Sequence, residues 1–420
     1  MKILWLCNTL LSNASEKLNI QHSKPESWIN GFYNNIKKLD NVKLLYLFPW
    51  NNSNLTTNID NTKFISYTQK NVYKFENIQI DEFKKILKKT NPDIIHIFGT
   101  EYSHSLAMLK AAQSLNMLDR TVVNLQGICF TLAKHYLEGL DLKTVHSYTF
   151  RDFLRHNNIY NQMLDFKKRA EFETEAIKLT HNVIGRTDWD EACAKRVNPD
   201  VNYYFCNETL RKPFYENEWD IEKCERKSIF VSQCSYPIKG FHYMLEAMAD
   251  IVKAHPDAHL YTTGAHPLKL SLRGKIRQNS YNRYIGKLIK KYKLQNNVSF
   301  LGYLKENEMC ERFLKSHVFV CSSTVENESN ALSEAKILGV PSVVSFAGGM
   351  TNRIEHKKDG FLYPINAPYM LAFYIKKIFE DDNLALSFSK ASKQAAKKVN
   401  DIETNFQRLM EIYTTICDKN

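Results

Sequence analysis

The sequence predicts an α/β protein with two doubly wound, parallel-sheet domains. Short apolar runs alternate with amphipathic segments along most of the 420 residues, as in parallel sheets covered by helices on both faces. The alternation falls into two series, as expected for a 420-residue chain at roughly 150 residues per domain. Residues 208–227 between the series are polar and strongly charged, carry no sheet pattern and read as a linker. The expected organisation is a first domain over 1–208, a second over 209–392 and a helical tail over 393–420.

In the first series, residues 2–7 (KILWLC) form a continuous apolar run, the pattern of a strand buried on both faces. After a polar stretch, residues 27–39 carry Trp28, Phe32, Ile36 and Leu39 at helical spacing. Strands are expected at 42–48 and 64–68, then an amphipathic helix over 80–90 that Asn91-Pro92 stops. Residues 93–99 and 121–127 read as strands ending in Gly99 and Gly127, with a helix over 104–115 between them. Residues 129–181 show no strand signal and read as helices; 181–187 is a strand, and the acidic DWD that follows opens another helix.

The second series begins near Lys227. Strands are expected at 228–235, 258–264, 298–304, 317–323 and 341–349. Helices are expected at 241–255, 281–294, 306–316 and 330–339, with a helical tail from about Tyr369. Gly339 and Pro341 supply a helix stop and an exit into the next strand.

Composition narrows the function classes. Hydrophobic residues make up 44% and charged residues 24%, and 24 Phe with 22 Tyr give more burial than a disordered chain carries. The net charge of +12 suits an anionic ligand or surface without proving nucleic acid. The nine cysteines are odd in number, form no CxxC and pair with no His at metal-ligand spacing, the usage of a reducing compartment. The N-terminal run is read as a first strand rather than a signal peptide, and no apolar run approaches the ~18 residues of a membrane span. A cytoplasmic protein is expected.

In parallel sheets ligands bind beyond the carboxyl ends of strands, and two such domains place the best cleft between them. The sharpest local feature is HVFVCSSTVENESNALSEAKILGVPSVVSF, a strand, a polar turn, a short helix and a strand. Glu326 lies in the turn, and Glu334 lies one helical turn past Asn330. The backbone amides near Ser329 and Asn330 can meet a phosphate, and the two acids either accept sugar hydroxyls or simply favour the helix dipole.

With GVPSVVSFAGG and the DGFL of 359–362 after it, this segment resembles the family 4 (group 1) retaining glycosyltransferases of the GT-B fold. The resemblance implies that Glu334 holds the nucleotide ribose and that Glu326 contacts the donor hexose near the reacting carbon. The amides of Ser329, Asn330, Ala331 and Leu332 would then face the diphosphate. VSQCSYPIKGFHYMLEA is similar to the family's phosphate-binding turn: Lys239 supplies a cation, unless it is only an exposed helix-start lysine, and Gly240 allows a tight turn. Gln233 stands where the family usually has Arg, so it donates a hydrogen bond without a charge. Gly302 and Tyr303 match the base-contacting turn.

The first domain should bind the acceptor. Glu26, Ser27 and Trp28, ahead of Ile29, Asn30 and Gly31, occupy the place of the family's glycine-rich first loop, and Gln126 stands where many members have His. Gln126 is either a catalytic-site contact or a strand-end polar residue capping the next helix. Glu101 and His104 follow another strand end as acceptor contacts or helix starters. His135 and His266 are read as structural.

The expected catalytic set is Glu326, Lys239 and Gln126; no cofactor and no obligatory metal is expected. The expected activity is retaining transfer of a hexose from a nucleoside-diphosphate sugar, uridine-linked, to a saccharide or lipid-linked acceptor of envelope or capsular polysaccharide. A non-catalytic scaffold of the same fold and a nucleotide-sugar epimerase are the alternatives. Residues 269–293 carry nine basic residues and no acid, with Tyr284, Leu288 and Tyr292 along one side. That pattern fits either a solvated helix or peripheral contact with an anionic membrane, and no nucleic-acid module is present.

Overall fold

The computed structural model describes residues 1–20, 27–51, 55–69, 71 and 73–419. Glu26 of the first-loop reading lies outside them. The chain divides into two compact units, Met1–Phe130 with Phe166–Leu210 and Asn400–Asn420, and Thr131–Asp165 with Arg211–Val399.

The first unit holds eight strands, β1 (Lys2–Leu6), β2 (Lys43–Pro49), β3 (Thr56–Ile59), β4 (Thr62–Tyr67), β5 (Ile94–Phe98), β6 (Thr121–Asn124), β7 (Asn182–Gly185) and β8 (Asn202–Phe205). Their order is β3-β4-β2-β1-β5-β6-β7-β8, parallel except for the antiparallel β3–β4 pair. β1 is central, with Leu4 opposite Leu45 on one side and Ile95 on the other. Side chains alternate across a strand, so Ile3 and Trp5 join one core and Leu4 and Leu6 another. Both faces are therefore buried, and β1 shows no polar alternation.

The Ile3–Trp5 face is covered by the helices Ser27–Ile36 and Ile402–Cys417, which add Ile29, Phe32, Leu409 and Ile412 to the core. Trp5 Nε1 donates to the Tyr413 hydroxyl at 3.0 Å, and that hydroxyl lies 2.6 Å from His96 Nδ1.

The second unit holds β9 (Glu225–Val231), β10 (His259–Thr262), β11 (Val298–Phe300), β12 (Ser316–Cys321), β13 (Ser342–Ser345) and β14 (Phe361–Tyr363). The order β11-β10-β9-β12-β13-β14, all parallel, is the doubly wound arrangement. Chain order reverses direction between β9 and β12, so the loops leaving their carboxyl ends part there and leave a crevice.

The division of the chain differs from the sequence expectation in two places. Residues 131–165 cluster with the second unit. They are tied to its helix starts: the buried Asp152 carboxylate accepts from Ser280 N at 2.7 Å, and His242 Nε2 lies 3.1 Å from the Glu138 carbonyl. Residues 393–399 complete the helix Asp382–Val399, and the break comes at Asp401, whose side chain caps the next helix through Thr404 N. β3 and β8 carry no strand signal in sequence because each lies at a sheet edge and is only partly buried.

Candidate active site

The crevice at the switch point is built from two turns. After β9 the chain makes a single 3-10 turn, Pro237–Lys239, and enters the helix Phe241–Ala254 through Gly240 at φ +62°. A Cβ at Gly240 would stand 1.8 Å from the Ser322 carbonyl oxygen, so both space and φ demand glycine. Ser322 Oγ donates to the Lys239 carbonyl at 2.9 Å, and Thr324 N to the Ile238 carbonyl at 2.8 Å. These bonds lock the β9 turn to the turn after β12.

They also bring Lys239 to Glu326. The ammonium donates to Glu326 Oε2 at 2.7 Å, and Ser323 Oγ donates to the same oxygen at 3.0 Å. Burial opposes the charged ammonium, but the Glu326 carboxylate prevails and holds Lys239 well above its ordinary pKa. The backbone of Glu326 is fixed by Gly349 N, which donates to its carbonyl at 3.0 Å, and by Gly348, whose Cβ would stand 2.1 Å from that oxygen. Gln233 is exposed and accepts from the Tyr236 hydroxyl at 3.2 Å, and the Tyr236 ring lies 5.8 Å from Lys239 Nζ.

Ser329 caps the helix Asn330–Leu338, its hydroxyl accepting from Leu332 N at 3.3 Å. Leu332 N is therefore spent within the helix. Asn330 N and Ala331 N, in the first turn, are donors an α-helix leaves without an intrahelical partner.

Glu334 lies on this helix at 4% exposure, and Arg211 grips it with two 2.7 Å bonds, Nε to Oε1 and Nη2 to Oε2. Burial pushes the Glu334 carboxyl above its ordinary pKa, and Arg211 opposes the rise. A carboxylate has about four acceptor positions, so the Arg211 fork leaves room for a further donor such as a hydroxyl. Arg211 is absent from the sequence-based site because it lies in the charged linker with no local pattern. Glu328 is likewise placed by a distant partner: its carboxylate lies 3.0 Å from Arg353 Nη2, and both are buried.

Gly302 and Tyr303 stand apart from this cluster, at the end of the edge strand β11. Gly302 has φ +72° and bridges to Gly264, and Tyr303 is largely exposed. His266 is structural, its Nδ1 accepting from Leu268 N and Lys269 N at 3.1 Å each.

In the first unit, Gln126 Nε2 donates to Glu208 Oε1 at 2.5 Å and also to Asn124 Oδ1, while Glu208 Oε2 accepts from Arg186 Nη1 at 2.7 Å. Glu101 Oε1 accepts from Gly127 N at 2.7 Å, so it closes the ends of β5 and β6. His104 corrects an expectation. At 1% exposure it packs against Tyr67, with ring centroids 5.6 Å apart, rather than at a surface an acceptor could touch. Burial pushes its pKa down to about 3.

Sequence reasoning missed Glu173, which accepts from Thr100 Oγ1 at 2.9 Å and Phe130 N at 3.2 Å; burial raises its pKa to about 7. The DxD spacing of Asp188 and Asp190 after β7 belongs to a helix start, where Asp190 and Thr187 form a capping box. Among the described residues no group of three His, Cys, Asp or Glu side chains is placed to hold a metal ion. The cysteines form no disulfide, and eight of the nine are buried.

Comparison with known proteins agrees with this architecture. The family described as "Glycosyl transferases group 1" matches residues 211–395. The chain is 27% identical over 337 residues to the putative glycosyltransferase YtcC of Bacillus subtilis, covering 79% of this chain and 74% of that one. Among solved structures it is similar to sucrose-phosphate synthase from Thermosynechococcus elongatus, with TM-score 0.71, 13% identity and the full length of both chains covered. It is also similar to Anabaena HepE in complex with UDP and glucose, with TM-score 0.65, 15% identity, and 99% of this chain and 100% of that one covered. This family match lies over the second sheet and its switch-point turns, and the likeness to the solved structures shows the GT-B fold.

Proposed function

We propose that the chain is a group 1 glycosyltransferase that moves a hexose from a nucleoside-diphosphate sugar to a saccharide or lipid-linked acceptor, with retention, in envelope or capsular polysaccharide assembly. The observation that carries the reading is the meeting of the Lys239 ammonium, the Glu326 carboxylate and the first turn of the helix Asn330–Leu338 at the β9–β12 switch point. A diphosphate entering there meets one ammonium and the amides of Asn330 and Ala331, which stabilise charge as the leaving group departs. Displaced from Lys239, the Glu326 carboxylate is left to accept a hydroxyl of the donor sugar. Glu334 accepts from the ribose on the positions that Arg211 leaves open. Solved complexes of HepE with UDP and with UDP-glucose support a uridine donor.

Gln126 and Glu101 serve the acceptor side as hydrogen-bonding groups; retention and the identity of the acceptor are carried by the family resemblance alone. The chain works without an obligatory metal and in the cytoplasm.

Gln233 favours a second reading, a non-catalytic subunit, because it brings no charge to the position where the family has Arg. Calorimetric titration with UDP, GDP and ADP, followed by donor hydrolysis, separates the two. We expect UDP to bind and UDP-hexose to be hydrolysed slowly without acceptor. Absence of affinity for all three nucleotides would overturn the catalytic reading, and conversion of the donor into an epimeric nucleotide sugar would replace it.

A further inference from the structure

The helices Phe150–Arg155 and Leu272–Arg277, both of the second unit, line one cavity of about 530 Å³. Their outward side chains are large and apolar: Leu272 is 80% exposed, Phe153 65%, Leu154 63%, Phe150 62% and Ile276 53%. Isolated exposed apolar residues are ordinary, but five on two neighbouring short helices form a patch. Arg155, Arg273, Lys275 and Arg277 are exposed among them and form no ion pair among the described residues. The acid of the first helix, Asp152, is buried and bound to Arg151 and to Ser280 N, so it does not offset the surface charge and it fastens that helix to the start of the next element.

The basic helix Ser280–Lys291, by contrast, turns its apolar side inward, with Tyr281, Ile285, Leu288 and Ile289 buried. Of the side chains that the sequence sets along one side of that helix, Leu288 is buried and Tyr284 and Tyr292 are half-buried, so the exposed apolar residues of the stretch are Leu272 and Ile276 instead.

We propose that this two-helix patch docks the protein onto an anionic lipid surface, its five apolar side chains entering the interface and its arginines and lysine pairing with headgroups. Three of the five apolar residues are aliphatic, which suits hydrocarbon; base stacking on nucleic acid requires π-faces. A second copy of the chain would bring the same uncompensated positive charge against it. The inference deepens the proposed function by placing the enzyme where a lipid-linked acceptor lies. It is measured without donor or acceptor, so failure of one reading leaves the other standing.

The test is flotation of the full chain with phosphatidylcholine vesicles with and without phosphatidylglycerol. Binding should require phosphatidylglycerol and fall away at about 1 M salt, where the screening length is about 3 Å. The double variant Phe153→Ser/Leu154→Ser should bind at least about tenfold more weakly with an unchanged melting temperature. The triple variant Arg155→Gln/Arg273→Gln/Arg277→Gln should lose the preference for phosphatidylglycerol. Phe373→Ser, at an exposed aromatic residue elsewhere on the unit, should bind as the parent does. Equal flotation with both vesicle types, retained binding in both patch variants, or oligonucleotide binding that depends on Phe153 without vesicle binding would each overturn the proposal.

Discussion

Lys239 and Glu326 form an ion pair at 2.7 Å, so an incoming diphosphate must compete with a carboxylate for the ammonium. The two partners should therefore respond in opposite directions. Lys239→Ala removes the only charge that the β9 turn brings to the pair and should lower transfer by about 10²–10³-fold, with weakened UDP binding. Glu326→Gln removes the competitor, so UDP affinity should hold or rise while transfer falls; titration calorimetry beside a transfer assay reads both. Matching losses of UDP affinity in the two variants would show that the pair is not displaced by the diphosphate.

Glu334 differs, because Arg211 already spans its carboxylate in a buried fork. Glu334→Ala strands that guanidinium and should cost about 3 kcal/mol of stability. UDP binding should also weaken if the ribose shares the carboxylate. Arg211→Ala provides the comparison: a similar stability loss is expected, with the ribose acceptor still present. Urea unfolding and UDP titration of both variants separate the structural share of Glu334 from its ligand-binding share.

At the scale of elements, the helix Ile402–Cys417 belongs to the first unit although it follows the second in sequence. Its apolar side, Leu409, Ile412, Tyr413 and Ile416, closes the core over Ile3 and Trp5. The Tyr413 hydroxyl is buried between Trp5 Nε1 and His96 Nδ1. Tyr413→Phe leaves both without this partner and should destabilise the first unit by about 1–3 kcal/mol. The denaturant midpoint should fall with an unchanged slope; no change in midpoint would mean that the two bonds contribute nothing net.

The glycines of the switch-point turns were legible in sequence as turn formers. What each turn approaches was not, since Ser322 lies 82 positions after Gly240, and only folding brings its carbonyl within 1.8 Å of the missing Cβ.

For the whole molecule, one buried group sets a pH dependence. Glu173 titrates near 7 in the folded chain, raised by burial, against an ordinary value of 4.5. Between these values the folded state binds more protons than the unfolded state, so stability falls as pH rises through this window. The loss reaches at most about 3 kcal/mol above pH 7, at 1.36 kcal/mol per pKa unit. Buried histidines such as His104, held below their ordinary 6.5, add stability as pH rises toward that value, so the comparison of parent with Glu173→Gln isolates the carboxyl: between about pH 5 and 7 the stability of the variant should rise more steeply, or fall less, than that of the parent. An identical slope in the variant would place the proton elsewhere.

Much of the architecture was readable from local pattern. Buried parallel strands such as β1, β5 and β12 appear as mainly apolar runs without polar alternation because both of their faces are covered. Polar turns with Gly240 and Gly339 mark where helices begin and end for reasons internal to a few residues. The sequence by itself therefore determined the two sheets apart from the edge strands β3 and β8, and the turns that carry Lys239, Glu326 and Glu334. The tertiary structure alone decided that Arg211 grips Glu334, that His104 is sealed under Tyr67, and that residues 131–165 join the second unit. The physical reason is range. Helix, strand and turn preferences act over a few neighbouring residues, whereas burial and ion pairing depend on groups that lie far apart in the chain until it folds.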